Sequence, residues 1–181
     1  MPSLKDLTIE IQSAFRKRNQ KKLRKLNDKV MKMGVMEFNQ MLYDLAVISY
    51  ILSKIVSKPR FLDKKYEKEM ILIDKTLSSM VKSLSNGCED WKQLFSTMQN
   101  AISSLEKEDP RFLTNLVSKG KLKVASILYA QGLSLGTASE YTGMTKQDIL
   151  DYAGKTMMFD RVKEEKSIMD RLKFARKFIE G

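Results

Sequence analysis

The chain has 181 residues, with 33 Lys/Arg against 22 Asp/Glu, a net charge of +11, one cysteine and no histidine. The absence of histidine excludes a Ser-His-Asp or Cys-His relay and any metal site built on imidazole, and Cys88 alone can form neither an internal disulfide nor a cysteine zinc site. A hydrophobic fraction of 43% with only three prolines and eight glycines points to a mostly helical protein with an ordinary core, in which the twelve methionines serve chiefly as flexible filler.

The first stretch, residues 2–33, reads as helix, with Ser3 as its cap and Asp6 three places on. Leu4, Leu7, Ile11 and Phe15 form one apolar stripe, and Leu23, Leu26, Val30 and Met33 form a second, slightly rotated one. The phase change predicts a bend near Asn19, and Gly34 reads as the stop. Between the stripes lies "RKRNQKKLRKL", in which Arg16, Lys17, Arg18, Lys21, Lys22, Arg24 and Lys25 stand with no acid among them. Residues 1–33 carry 10 basic and 3 acidic side chains (+7), residues 34–108 carry 10 of each, and residues 109–181 carry 13 and 9 (+4). Like charges this dense cost helix stability, so phosphate contact is the functional reading of the front segment and a solvated helix face the plain one.

The next stretch, residues 35–59, is the most apolar. Phe38, Met41, Leu42, Leu45, Ile48, Leu52 and Ile55 line one side, Val35 and Val47 widen it, and Pro59 ends it, which predicts a central helix of a bundle. Asp63 reads as the cap of a helix carrying Tyr66, Met70, Ile73, Leu77, Met80 and Leu84, closed by Asn86-Gly87. Trp91, Leu94, Phe95, Met98, Ile102 and Leu105 mark another helix, with Trp91 expected as a bundle anchor rather than a stacking platform for a base. Short connections predict an antiparallel bundle over residues 1–107, and "EKEDP" at 106–110 is the best domain boundary, with Asp109-Pro110 in the order for a new helix start.

Residues 109–181 form the second expected unit. A helix or a pair broken at Gly120 carries Leu122, Ala125, Leu128 and Tyr129 inward and ends at Gly132. Ser134 offers a cap for "LGTASEYT", Gly143 ends that helix, Thr145 caps "KQDILDYA", and Gly154 reads as the next stop. Ser139 and Gly143 are spaced as a helix-turn-helix requires, with Ala138, Met144, Ile149 and Tyr152 filling the angle between the helices. The second helix would offer Thr145, Lys146 and Gln147 to a groove, but Asp148 and Asp151 oppose phosphate, and residues 121–157 hold four lysines against three acids. The segment 16–26 would therefore supply much of the affinity. The last stretch, residues 159–181, reads as an amphipathic helix with Val162, Ile168, Met169, Leu172, Ala175, Phe178 and Ile179 on its stripe, suited to packing on the bundle or to dimerisation.

"ILYAQGLSLGTASEYTGMTKQDILDYAGK", about 30 residues of the chain, resembles the C-terminal segment of a small prokaryotic antitoxin-like family, in which a helix runs into Y-x-x-G-x-[IL]-S-L-G-x-A-A-x-x-A-G-[MV]-[ST]. Tyr129, Gly132, Leu133, Ser134, Leu135, Gly136, Ala138, Ser139, Gly143, Met144 and Thr145 carry the resemblance, with one residue fewer after Gly132, and with Ser139 and Thr142 in place of alanines. The resemblance implies a helix-turn-helix and, by analogy, a role in regulation or toxin pairing.

Neither G-x-x-x-x-G-K-[ST] nor G-x-G-x-x-G occurs, and the acids fall as helix-surface partners of lysines, so no cofactor and no enzymatic activity are expected. No run reaches about 18 apolar residues and no leader pattern opens the chain, which predicts a soluble, cytoplasmic protein with no membrane partner. The expected function is that of an all-α DNA-binding regulator, with DNA favoured over RNA and a homodimer or protein partner open. The alternatives are a helical protein-interaction adaptor and an RNA- or ribosome-associated protein acting through residues 16–26.

Overall fold

The computed structural model describes residues 2–37, 39–108 and 115–161, together with Met169 and Arg176. Among the described residues the fold is all-α, with no strand, and no helix is long and apolar enough to cross a membrane. Phe38, the Asp109-Pro110 boundary and most of the expected C-terminal amphipathic helix lie outside the described residues.

Helix α1 (Leu4–Arg16) opens on the expected capping box: the Ser3 hydroxyl accepts from Asp6 N at 3.1 Å and Asp6 Oδ2 accepts from Ser3 N at 3.0 Å. Instead of bending, the chain breaks after Arg16. Arg18 takes a left-handed φ of 52°, Asn19 Oδ1 accepts from Lys22 N at 2.9 Å, and a new helix α2 (Gln20–Met36) begins. Crowded cations weaken the helix here, and a ready cap makes the interruption cheaper than a bend. Gly34 does not stop α2. It is buried within the helix, and its carbonyl accepts from Tyr43 Oη at 2.8 Å, so it marks the contact with α3 rather than a terminus.

Helix α3 (Gln40–Val56), capped by Asn39, is central as expected: Leu42, Leu45, Ile48, Leu52 and Ile55 are all buried, and so are Tyr43, Ala46 and Ile51 on its other sides. It pairs most extensively with α2, where buried Asn27 Nδ2 donates to Ala46 O at 2.7 Å and to Ser49 Oγ at 3.0 Å. After Pro59 come two short 3-10 turns, Pro59–Leu62 and Lys64–Tyr66. Asp63 lies between them and makes no side-chain cap, so α4 (Glu67–Ser83) starts later than expected, behind the edge-on packing of Phe61 against Tyr66. Arg16 at the end of α1 donates to both carboxylate oxygens of Asp74 on α4, at 2.7 and 2.9 Å.

Helix α5 (Trp91–Glu108) buries Trp91, Met98, Ile102 and Leu105. Trp91 is an anchor: its Nε1 donates to Asp44 Oδ2 at 3.0 Å, and Asp44 Oδ1 accepts from Gln40 at 2.9 Å. Burial pushes the Asp44 carboxyl above the usual carboxylate range, opposed by these two donors. Removing this acceptor strands a buried indole N–H, so Asp44→Ala is expected to lower stability by about 2–3 kcal/mol. Asp44→Asn, which keeps one acceptor and sheds the buried charge, should cost much less; chemical denaturation of both variants measures the difference.

Helix α6 (Leu116–Ala130) runs straight through Gly120, which is buried against α3: a Cβ there would lie 2.9 Å from Ile51 Cγ1. The expected break is therefore a point of close helix approach. Val124 and Leu128 of α6 join the main core with α2 and α3, while Ala125 faces a smaller cluster on the other side. Helix α6 thus supports the bundle on one side and the C-terminal helices on the other.

Candidate nucleic-acid interface

Three helices build the region. The Ser134 hydroxyl accepts from Thr137 N at 3.0 Å and starts α7 (Leu135–Thr142), as its position predicts. The chain then turns at Gly143, whose φ of +69° carries no Cβ penalty. The Thr145 hydroxyl accepts from Asp148 N at 3.1 Å and starts α8 (Lys146–Lys155). Gly154 does not stop α8; it lies inside the helix, with open space around it. A last turn, α9 (Met158–Arg161), closes the region.

Both short helices rest on α6. Ala125, Ala138 and Ile149 are fully buried against one another, with Leu122, Tyr129, Leu135 and Met144 around them. Small side chains at 125 and 138 let the backbones approach. Ser139 Oγ donates to Met144 O at 2.7 Å across the turn, and Thr142 Oγ1 donates to Ala138 O at 2.6 Å, so the corner is satisfied internally. On the opposite side, Lys146, Gln147, Asp148, Leu150, Asp151 and Lys155 are exposed.

The expected contact residues divide into two groups. On α8, Lys146 is exposed, the Thr145 hydroxyl is taken up by the cap and also donates to Asp148 Oδ2 at 2.7 Å, and Gln147 Nε2 donates to Asp151 Oδ1 at 2.8 Å. With two lysines facing two acids, the open side of α8 has no cationic excess of its own. In the front segment, Arg16 is bound to Asp74 and Lys22 stands 3.5 Å from Glu10, whereas Lys17, Arg18, Lys21, Arg24 and Lys25 are exposed.

Between the groups stands a half-buried tyrosine, Tyr50 of α3. Lys54 Nζ lies 5.4 Å and Lys123 Nζ 6.0 Å from the centre of its ring. Burial raises the Tyr50 hydroxyl above the ordinary phenol range; Tyr152 of α8 adds to this and Arg24 of α2 opposes it. Tyr50 therefore feels a cation of the front segment and a side chain of α8 together. Sequence reasoning misses Lys54 and Lys123 because each stands alone in its own stretch, and only the packing of α3 on α6 joins them. Comparison with protein-family models, curated proteins and solved structures finds no match.

Proposed function

We propose that the chain is a non-enzymatic, cytoplasmic DNA-binding regulator in which α7 and α8 act as a helix-turn-helix, as the antitoxin-like resemblance implies. One observation carries this reading: α8 is pinned through a single buried side, at Ile149 and Ala153, while Lys146 and Gln147 at its capped start are open to solvent. A recognition helix needs that division between a fixed back and a free front. Because α8 has no net charge to spare, affinity comes from the front segment and specificity from Lys146 and Gln147.

Fluorescence anisotropy with a random-sequence DNA duplex at low salt tests the reading. Binding should weaken steeply as salt rises, and Arg18→Glu with Lys22→Glu and Lys25→Glu should abolish it while circular dichroism stays unchanged. Binding no stronger than that of a neutral control protein removes the reading. Tighter binding to structured RNA than to DNA would favour the RNA alternative.

A second reading has its own support. Leu150, Met157 and Phe159 are 40%, 65% and 54% exposed along α8 and α9. Three large apolar side chains in one short stretch suit a protein partner or a second copy of this chain, as an adaptor or a dimeric regulator would use. Sedimentation across a concentration series separates the monomer from the dimer.

A further inference from the structure

We propose that Arg24, Lys54, Lys123 and Arg161 form a phosphate-binding cluster around Tyr50 that seats the backbone of a nucleic acid between the front segment and α8. The inference rests on the nucleic-acid reading and deepens it by adding to the front-segment contact a backbone seat made by Lys54, Lys123 and Arg161, which belong to neither the front segment nor α8.

Four helices supply the cluster: α2 gives Arg24, α3 gives Tyr50 and Lys54, α6 gives Lys123, and α9 gives Arg161. Two ammonium groups share one aromatic ring, at 5.4 and 6.0 Å from its centre. Lys54 and Lys123 are half-buried, and Arg161 reaches the same neighbourhood: partial burial, then Lys54, then Arg161 hold the Lys123 ammonium below the ordinary lysine range. Asp28 opposes this, and Asp28 also feels Lys32. No carboxylate among the described residues lies within ion-pairing distance of Lys54 or Lys123.

Packing cations together at a partly desolvated surface is unfavourable where one carboxylate, Asp28, acts on Lys123 against two neighbouring cations, and each cation is held there by a different helix, so the fold itself imposes the crowding. A phosphate group relieves it, since its oxygens accept charge-assisted hydrogen bonds from lysine and arginine at once. The neighbours select a polymer rather than a lone phosphate. Arg24 continues into the exposed cations of residues 17–25, and Tyr152 leads to α8, so a phosphodiester chain has contacts on both sides of the cluster.

The experiment uses the full chain and three probes: a labelled random DNA duplex, sodium tripolyphosphate, and sodium chloride at matched ionic strength. Wild type, Lys54→Gln/Lys123→Gln and, separately, Arg161→Gln are titrated with duplex over a salt series. The slope of log affinity against log salt should become shallower by about two for the double variant and by about one for Arg161→Gln. Without ligand, the double variant should keep the wild-type circular-dichroism spectrum, so that a changed slope reports lost contact and not unfolding. If wild type binds duplex and neither variant changes the slope, the cluster is overturned and the nucleic-acid reading stands. If wild type binds no duplex, the nucleic-acid reading falls. In that case, melting raised by tripolyphosphate in wild type but not in the variants reassigns the cluster to free phosphate and overturns the polymer. An equal response in all three proteins overturns the cluster as well.

Discussion

Gly120→Leu is expected to cost about 3 kcal/mol or more, a large share of the roughly 5–15 kcal/mol that holds a domain folded. Gly120 stands in the middle of α6, where a Cβ would sit 2.9 Å from Ile51 Cγ1 and 3.2 Å from Ile51 Cδ1. Ile51 is itself buried on α3, so it cannot yield by swinging into solvent. Even Gly120→Ala should lose about 1 kcal/mol, because an overpacking cost of about 1–3 kcal/mol exceeds the gain of about 1 kcal/mol in helix propensity. Gly154→Ala supplies the opposite sign. It lies within α8 with nothing near its Cβ, so the propensity gain of about 0.5–1 kcal/mol should appear undiminished. Denaturation midpoints of the three variants decide the matter, and Ile51→Ala combined with Gly120→Ala should be less damaging than the two losses added. A Gly120→Leu protein as stable as wild type would show that α3 and α6 are not in close contact.

Ile149→Ala is expected to release α8 and abolish any binding that depends on it. Ile149 is fully buried and is the side chain by which α8 meets Ala125 of α6 and Ala138 of α7. Truncating a buried isoleucine costs about 2–5 kcal/mol, and a helix as short as Lys146–Lys155 does not persist in water without its packing. The loss should be local: amide exchange over residues 146–155 accelerates by orders of magnitude while the bundle keeps its protection. Leu150→Ala, at the neighbouring and 40% exposed position, should change stability by no more than about 0.5 kcal/mol. Equal exchange rates in the two variants would mean that α8 is not held through Ile149.

How much of the fold is legible in the sequence depends on the range of the forces involved. Ser3, Ser134 and Thr145 are readable as caps because each acts on an amide three residues away, and Gly143 is readable because the left-handed turn it takes is a local demand. Helical period also exposes the inner face of α3, and the helix-turn-helix spacing about Gly143 exposes the Ala138–Ile149 contact. Gly34, Gly120 and Gly154 mislead because a glycine signals a stop only when nothing else continues the helix. At Gly120 the small residue is instead demanded by a neighbouring helix, which no local pattern records. Asp63 misleads as well: its carboxylate caps nothing, and two 3-10 turns, with Phe61 packed on Tyr66, fill the chain before the next helix begins. The front segment is visible as charge, but not that Arg16 is spent on Asp74, nor that Arg24 acts on the same tyrosine, Tyr50, that Lys54 and Lys123 approach from two other helices.

Gln40 donates to the backbone carbonyl of Tyr141 on α7 at 2.9 Å while also holding Asp44, the carboxylate that grips the chain's single tryptophan. The indole is therefore a built-in optical probe of the joint between the bundle and the corner at Gly143. Excitation at the red edge selects this one chromophore, so any event that pulls α7 from α3 registers as a change in emission colour and lifetime, with no label attached.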